Sequence, residues 1–503
     1  MMRETFGQAL RHRRQARSMS LRSLASRVRY DHAYLGQIER GEKPGSLALA
    51  TACDDALDAA GELVAVFRAQ RQPVSTAAPG SNGLGTFTTS GPPSADATVA
   101  ASQSSWRDTR DYLAQHGPEL AVRAAELYDP GWQVAGTRAI AAPHWLPAAP
   151  VPLENITLTW DPQPPEPRIT GREAEARPVL PLRVPGHAFT RYTSAIRYLQ
   201  PPSLFENRPS YRLLDLAWGE AAGTLRFGLS TFFEKVDVAE PLSHELASAA
   251  RDGALSWAGL PFRARISDPF DLAARAVNPG IGTLTIRRDT TDGSGTFFLL
   301  WRDPTQVLKG NHYCVVPAGE FQPASIGPDS VSADLDLWRN IAREYSEELL
   351  NNPEHDGSRG DLLDYDCWPF YREMQRARER DQLRAYALGV VLDALGLNAG
   401  IVTAVVIDDV VFDRSFRDLV TTNSEGRLVT SLDGAHTLGG IPFSEESVRR
   451  FVHHEPLGST SSACLALAWQ HQAHLLPAAS RSLCARVGND LSATRGAVHS
   501  PRP

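Results

Sequence analysis

The sequence predicts a multidomain chain: an all-α head of five helices, a disordered linker and an α/β body. Three observations carry this. First, two short apolar stripes at helical spacing lie inside the first 45 residues. Leu21, Leu24, Ala25 and Val28 share one face, and after a short break Leu35 and Ile38 begin a second. Second, Pro, Gly, Ser, Thr and Ala dominate the stretch 71–105, as in A-A-P-G-S-N-G-L-G-T, which lacks the apolar content to order itself. Third, strand-like and helix-like segments alternate through the rest of the chain.

The head spans 1–70. Its first 43 residues hold ten Lys or Arg and four Asp or Glu, a net +6. The chain is −7, so the other 460 residues carry −13. A basic head on an acidic body suits a head that meets phosphates and a body that does not. The competing reading is a helical interaction domain with a solvated basic face. Two short amphipathic helices joined by a tight turn form a helix-turn-helix, whose second helix enters the major groove of DNA. The segment resembles the Cro/repressor-type helix-turn-helix family in Leu24-Ala25, Tyr34-Leu35, Ile38-Glu39-Arg40-Gly41 and Pro44.

That reading assigns the candidate DNA-binding residues. Asp31 is an N-cap for the recognition helix. His32 and Ala33 fall in its first turn, where base edges are met, although His32 also fits a solvated surface. Gln37, one turn on, can offer adenine a bidentate amide. Tyr34 packs either on the sugar-phosphate wall or a thymine methyl, or else inward on the first helix. Arg40 and Lys43 follow the helix and suit phosphate contact. Leu21 and Arg22 open the preceding helix, whose N-terminal amides can also hold a phosphate. The resemblance further implies a structural ion pair between Arg14 and Glu39. Two departures stand out: Arg29 occupies a turn position where the family often has Gly, and Gly36 lies inside the recognition helix.

The linker should act as a flexible tether. A helical pattern runs from Trp106 to Tyr128. The stretch 130–185 is rich in proline and hard to read. Strands are expected at Ala188–Tyr198, Tyr211–Ala217 and Thr224–Phe233, then a helix carrying Leu242, Leu246 and Ala249. These belong to an α/β region, 106–275, without an assigned role. The region 276–475 reads as strands at Gly282–Arg288, Gly295–Arg302 and His312–Pro317 and helices at Asp334–Leu350 and Tyr371–Leu395. A buried strand at Ile401–Ile407 and a helix at Ser461–Leu475 complete it. A polar tail, 476–503, is expected to be disordered.

Within Ala342 to Leu350, Glu344, Glu347 and Glu348 stand at i, i+3 and i+4, so three carboxylates share one helical face. A divalent cation would relieve their repulsion, and hard oxygen ligands suit magnesium or manganese. Arg343 is placed to orient Glu347. The segment resembles the REUxEE core of the Nudix box, with Val316-Pro317-Ala318-Gly319 like the strand and loop before it. The resemblance implies a Nudix-like α+β sandwich over 276–475. The departures are a spacer from Gly319 to Arg343 about ten residues too long, Leu335 in place of an isolated Glu, and Leu349-Leu350 in place of a trailing Gly. The competing reading is an amphipathic helix with a solvated acidic face. No catalytic residue is assigned, and a degenerate site would bind a nucleotide-like effector without hydrolysing it.

Other constellations fail. His244-Glu245 lacks the second His of a zinc peptidase, and there is no P-loop. The five cysteines, at 53, 314, 367, 464 and 484, show no zinc spacing, and their scatter implies a reducing, cytoplasmic compartment. No apolar run approaches a membrane span. The expectation is therefore a sequence-specific DNA-binding regulator, a homodimer on double-stranded DNA, whose body senses a ligand or assembles the protein. The alternatives are a Nudix-type nucleoside diphosphate hydrolase with a DNA-binding head, and a partner-binding protein.

Overall fold

A computed structural model describes residues 5–17, 19–28, 32–40, 47–57, 59, 62–71, 95–202, 205–302, 311–325, 327–352, 362–420, 426–430 and 439–477. The chain divides into two compact units, Met1–Gly91 and Pro92–Pro503.

The first unit is a five-helix cluster: α1 (Phe6–Ala16), α2 (Leu21–Val28), α3 (His32–Glu39), α4 (Leu47–Ala56) and α5 (Glu62–Arg71). Thr5 starts α1 with a reciprocal cap. Its hydroxyl accepts from the Gln8 amide at 3.3 Å, and its own amide donates to Gln8 Oε1 at 3.0 Å. Ser20 caps α2 by accepting from Ser23 N at 3.1 Å. Leu10, Leu24, Leu35, Leu49 and Cys53 meet in a core with no solvent exposure. Burial is the first cause that pushes the Cys53 thiol up to about 12, so it behaves as a small core hydrophobe.

The second unit is a mixed α/β body. Its main sheet centres on Ala399–Asp408, a ten-residue strand buried along its whole length. That strand pairs antiparallel with Leu383–Asp393 and parallel with Gly280–Arg288. A strand flanked on both edges and covered on both faces is nearly continuous in apolar residues, as in I-V-T-A-V-V-I, and its one polar side chain there, Thr403, meets the Thr283 hydroxyl at 2.8 Å. Two three-stranded sheets stand beside it. One joins Ile156–Asp161, Gly223–Thr231 and Pro209–Trp218; the other joins His312–Val315, Leu299–Arg302 and Gly426–Val429.

The two expected body segments are not separate. One hydrophobic core runs from Leu120 to Leu475, and Ala139–Ile140 pairs with Leu383–Asp393 across the expected boundary at 275. Strand pairing over such sequence distances leaves no trace in local composition.

Several expected elements are corrected. The helix predicted from Trp106 begins at Ala95, so the end of the expected linker, 95–105, is helical. Ser102 and Gln103 hold it in place: Leu182 N donates to Ser102 Oγ at 3.0 Å, and Gln103 Nε2 donates to Leu182 O at 2.9 Å. This helix, Ala95–Ala125, kinks at His116 (φ −109°, ψ 15°), two residues before Pro118, whose ring disfavours helical backbone upstream. The strand expected at Ala188–Tyr198 is largely the helix Tyr192–Leu199, which buries Tyr192, Ala195 and Ile196 at helical spacing. The long helix expected at Tyr371–Leu395 splits into a helix, Pro369–Glu379, and the strand Leu383–Asp393. Asp381, at φ 56°, turns the chain between them. The segment Gly295–Arg302 is two strands, because the chain leaves the main sheet at the buried Phe298 and joins a second one. The expected linker over 72–94 and the tail from 478 onward lie outside the described residues.

Candidate nucleic-acid interface

The head is arranged around a close crossing of α1 and α3. Gly7 on α1 lies so near Ile38 that a Cβ would overlap the Ile38 carbonyl oxygen. Only glycine lets the two backbones approach this far. Two turns along α1, Arg14 reaches the end of α3. Its Nε donates to Glu39 Oε1 at 2.6 Å and its Nη2 to Glu39 Oε2 at 2.7 Å. A third bond, Nη1 to Met19 O at 2.8 Å, ties in the loop before α2. The hydrogen bond to Glu39 is the main cause that raises the Arg14 pKa above its ordinary value. Both side chains are thereby committed inside the domain and are not available to read bases. The pair implied by the family resemblance is present.

With α1 and α2 fixed, α3 stands as the second helix of the motif after a gap at 29–31. Residues 5–67 match the family model described as a helix-turn-helix domain. The N-terminal unit therefore carries a helix-turn-helix DNA-binding domain. No curated protein matches the chain.

Within the helix-turn-helix domain the candidate contacts take distinct places. His32, Ala33 and Tyr34 form the first turn of α3, and Arg22 is in the first turn of α2; their side chains lie outside the described residues. Lys43, with Arg29 and Asp31, falls wholly outside them. Leu21 packs partly buried against the head core, so its side chain serves α2 docking. Its share in phosphate binding would come through the backbone end of α2. Gln37 is half-buried on α3, and Arg40 is exposed just past its end. Gly36 is buried; a Cβ there would point at Arg40 Nη1 (3.2 Å) and Leu21 Cδ1 (3.6 Å). It thus faces the domain's own side chains rather than a partner. Sequence reasoning missed Gly7, whose only signal was a glycine inside the first turn of an otherwise good helix.

In the body, the acidic face lies on the helix Leu337–Glu348, capped by Asp336 through a bond from Arg339 N at 2.8 Å. Its carboxylates do not gather as metal ligands would. Glu348 is buried and accepts from Ala318 N at 3.2 Å. The Glu344 carboxylate lies against Gly319, where a Cβ would overlap it. Among the described residues no three acidic, His or Cys side chains form a group able to hold a metal ion. Arg343 does not orient Glu347. It is buried, donates to Tyr365 Oη at 3.0 Å and to Gln322 O at 2.7 Å, and lies 3.4 Å from Asp334. Tyr365 in turn donates to Asp334 at 2.7 Å. The Arg343 network ties the helix to the loop before it. Among the described residues no helix is long and apolar enough to cross a membrane. Among the described residues, Cys53, Cys314, Cys367 and Cys464 form no disulfide with one another.

Proposed function

We propose that the protein is a sequence-specific transcriptional regulator with a Cro/repressor-type head and a ligand-sensing body, acting in the cytoplasm on double-stranded DNA. The observation that carries this reading is the α2–α3 pair, locked onto α1 by Arg14 and Glu39 in a domain that matches the helix-turn-helix family. Such a lock presents α3 as a rigid unit to the major groove. Gln37 supplies the amide for a base edge, with His32, Ala33 and Tyr34 in the leading turn. Arg40, Lys43 and the start of α2 at Leu21 and Arg22 take phosphates. One short helix reads too few bases to select a genomic site, so two heads of a homodimer would bind half-sites about one helical turn apart.

The test is a binding series on a site selected from random duplexes. Gln37→Ala should cost about 1–3 kcal/mol on that site and relax preference at one or two base pairs. Arg40→Ala and Lys43→Ala should weaken binding to all sequences and lower the salt slope by about one unit each. Equal loss for Gln37→Ala on selected and random DNA would remove it from base reading. A protein that occupies its site as a monomer would defeat the dimer.

The alternative, a Nudix-type hydrolase using magnesium or manganese, has one favourable feature: Glu344 and Glu348 both meet the Ala318-Gly319 segment. Against it, no three acidic, His or Cys side chains among the described residues stand together as a metal-holding group, and Glu348 accepts from a backbone amide. The acidic helix is better read as a packing element of the body.

A further inference from the structure

The body contains a cavity of about 200 Å³. It opens where the helix Ala95–Ala125 kinks, between that helix, the turn after strand Leu383–Asp393 and the start of the helix Ser459–Gln470. Leu113, Leu395 and Leu457 give it apolar walls. This is below the ~300–1,000 Å³ of pockets that enclose drug-sized ligands, so it suits a compact molecule.

The charges around it are not equally satisfied. Arg110 is paired with Glu240 at 2.9 Å and also donates to Gln200 Oε1 at 2.8 Å. Asp393 accepts from Leu395 N at 3.3 Å and Gly396 N at 3.0 Å. Arg138 differs. It is half-buried on the cavity wall, and its bond is to a neutral carbonyl, Leu457 O, at 2.9 Å. No carboxylate among the described residues forms an ion pair with it, and burial lowers its pKa with no acidic neighbour opposing. Beside it the helix Ser459–Gln470 begins without a side-chain cap, and Ser459 lines the cavity. The first helical bond, Ser462 N to Gly458 O at 2.7 Å, leaves the preceding amides outside the ladder, at the positive end of the helix. A guanidinium on a cavity wall with no carboxylate paired to it keeps donors and charge available to a bound anion.

We propose that this cavity binds a small organic oxyanion, a carboxylate or phosphate monoester with a compact apolar body. Arg138 clamps the oxyanion beside the first turn of helix Ser459–Gln470, and Leu113, Leu395 and Leu457 cover the apolar part. Arg110 and Glu240, already paired, form a fixed floor. This site deepens the ligand-sensing reading given above and rests on it.

The test uses full-length protein and follows body melting with benzoate, phenyl phosphate, inorganic phosphate and neutral benzyl alcohol. Benzoate or phenyl phosphate at about 10 mM should raise Tm by roughly 1–3 °C, because each binds the folded state alone. Which of the two gives the larger shift assigns carboxylate or phosphate. Arg138→Gln should abolish the shift and Arg138→Lys keep part of it. Ala114→Trp, an exposed change at the cavity rim, should block it while leaving the fold intact. The proposal is overturned if no anion gives an Arg138-dependent shift. Equal shifts from benzyl alcohol in wild type and Arg138→Gln overturn it too, as does an inorganic phosphate shift indifferent to Ala114→Trp. A parallel titration measures affinity for the selected DNA site. A melting shift without a change in DNA affinity would leave the site standing and defeat the sensing role. DNA binding without any melting shift would defeat the site alone.

Discussion

Arg14 and Glu39, 25 residues apart in sequence, form a two-pronged ion pair at 2.6 and 2.7 Å that joins the first helix of the head to the end of the third. Glu39 is 7% exposed, so the pair is largely removed from water. Removing one partner strands the other charge in a site with little solvent. Glu39→Ala should therefore destabilise the head by about 3–5 kcal/mol. Hydrogen exchange at the Leu35 and Ile38 amides of the full chain would report it. Exchange unchanged from wild type would show that the apolar core alone holds α3.

The two glycines of the head should respond in opposite directions. Gly7→Ala forces a methyl onto the Ile38 carbonyl and must push α1 from α3, at a cost of about 1–3 kcal/mol or more. Gly36→Ala places its methyl 3.2 Å from the movable end of Arg40 and removes a helix-breaking residue. It should stabilise the head by up to ~1 kcal/mol. Because the methyl meets Leu21 and the end of Arg40, both assigned to phosphate contact, any change in affinity should be equal on selected and random DNA. Denaturation and binding curves of both variants check this.

His244 makes the body acid-sensitive. Its ring is buried and meets Tyr192 Oη at 2.9 Å. Burial first, then the positive charge of Arg110, push its pKa from 6.5 down to about 3, against the opposing pull of Glu240. The unfolded chain binds a proton below about 6.5, while the folded one stays neutral until about 3. This contribution is therefore lost as pH falls through that window, at about 1.4 kcal/mol per unit. His244→Gln should flatten the decline in stability between about pH 6 and 4, measured by denaturant unfolding. A parallel decline in both proteins would place the acid sensitivity elsewhere.

The acidic helix should be sensitive at Arg343 and tolerant at Glu347. Arg343→Met leaves Asp334, 2% exposed, without its cation and should cost about 3–5 kcal/mol. Glu347→Gln, on a half-buried position, should change stability by less than about 1 kcal/mol. Magnesium at millimolar concentration should leave the body Tm unchanged in wild type. A magnesium shift that Glu347→Gln removes would restore the metal reading.

The head was legible because its information is local. The stripe of Leu21, Leu24, Ala25 and Val28 and the second at Leu35 and Ile38 set two helices within a few turns, and the Arg14–Glu39 pair follows from their family pattern. Much of the body's strand content was legible too, in the runs 211–217, 282–288 and 401–407, where β-branched and apolar residues concentrate. Only the tertiary structure decided the rest. Leu383–Asp393 reads as helix by periodicity but is a strand, because strands on both of its edges claim its backbone bonds. Residues 95–105 read as linker but are helical, because Leu182 binds them from 80 residues away. The Glu344, Glu347 and Glu348 face reads as a metal site, but Glu348 turns to the Ala318 amide and the Glu344 carboxylate lies against Gly319, so the three do not gather into a metal-holding group. Whether a buried or half-buried charge meets a partner, a carbonyl or a cavity, as for Arg343 and Arg138, is set by chain brought from far along the sequence, and no local pattern encodes that.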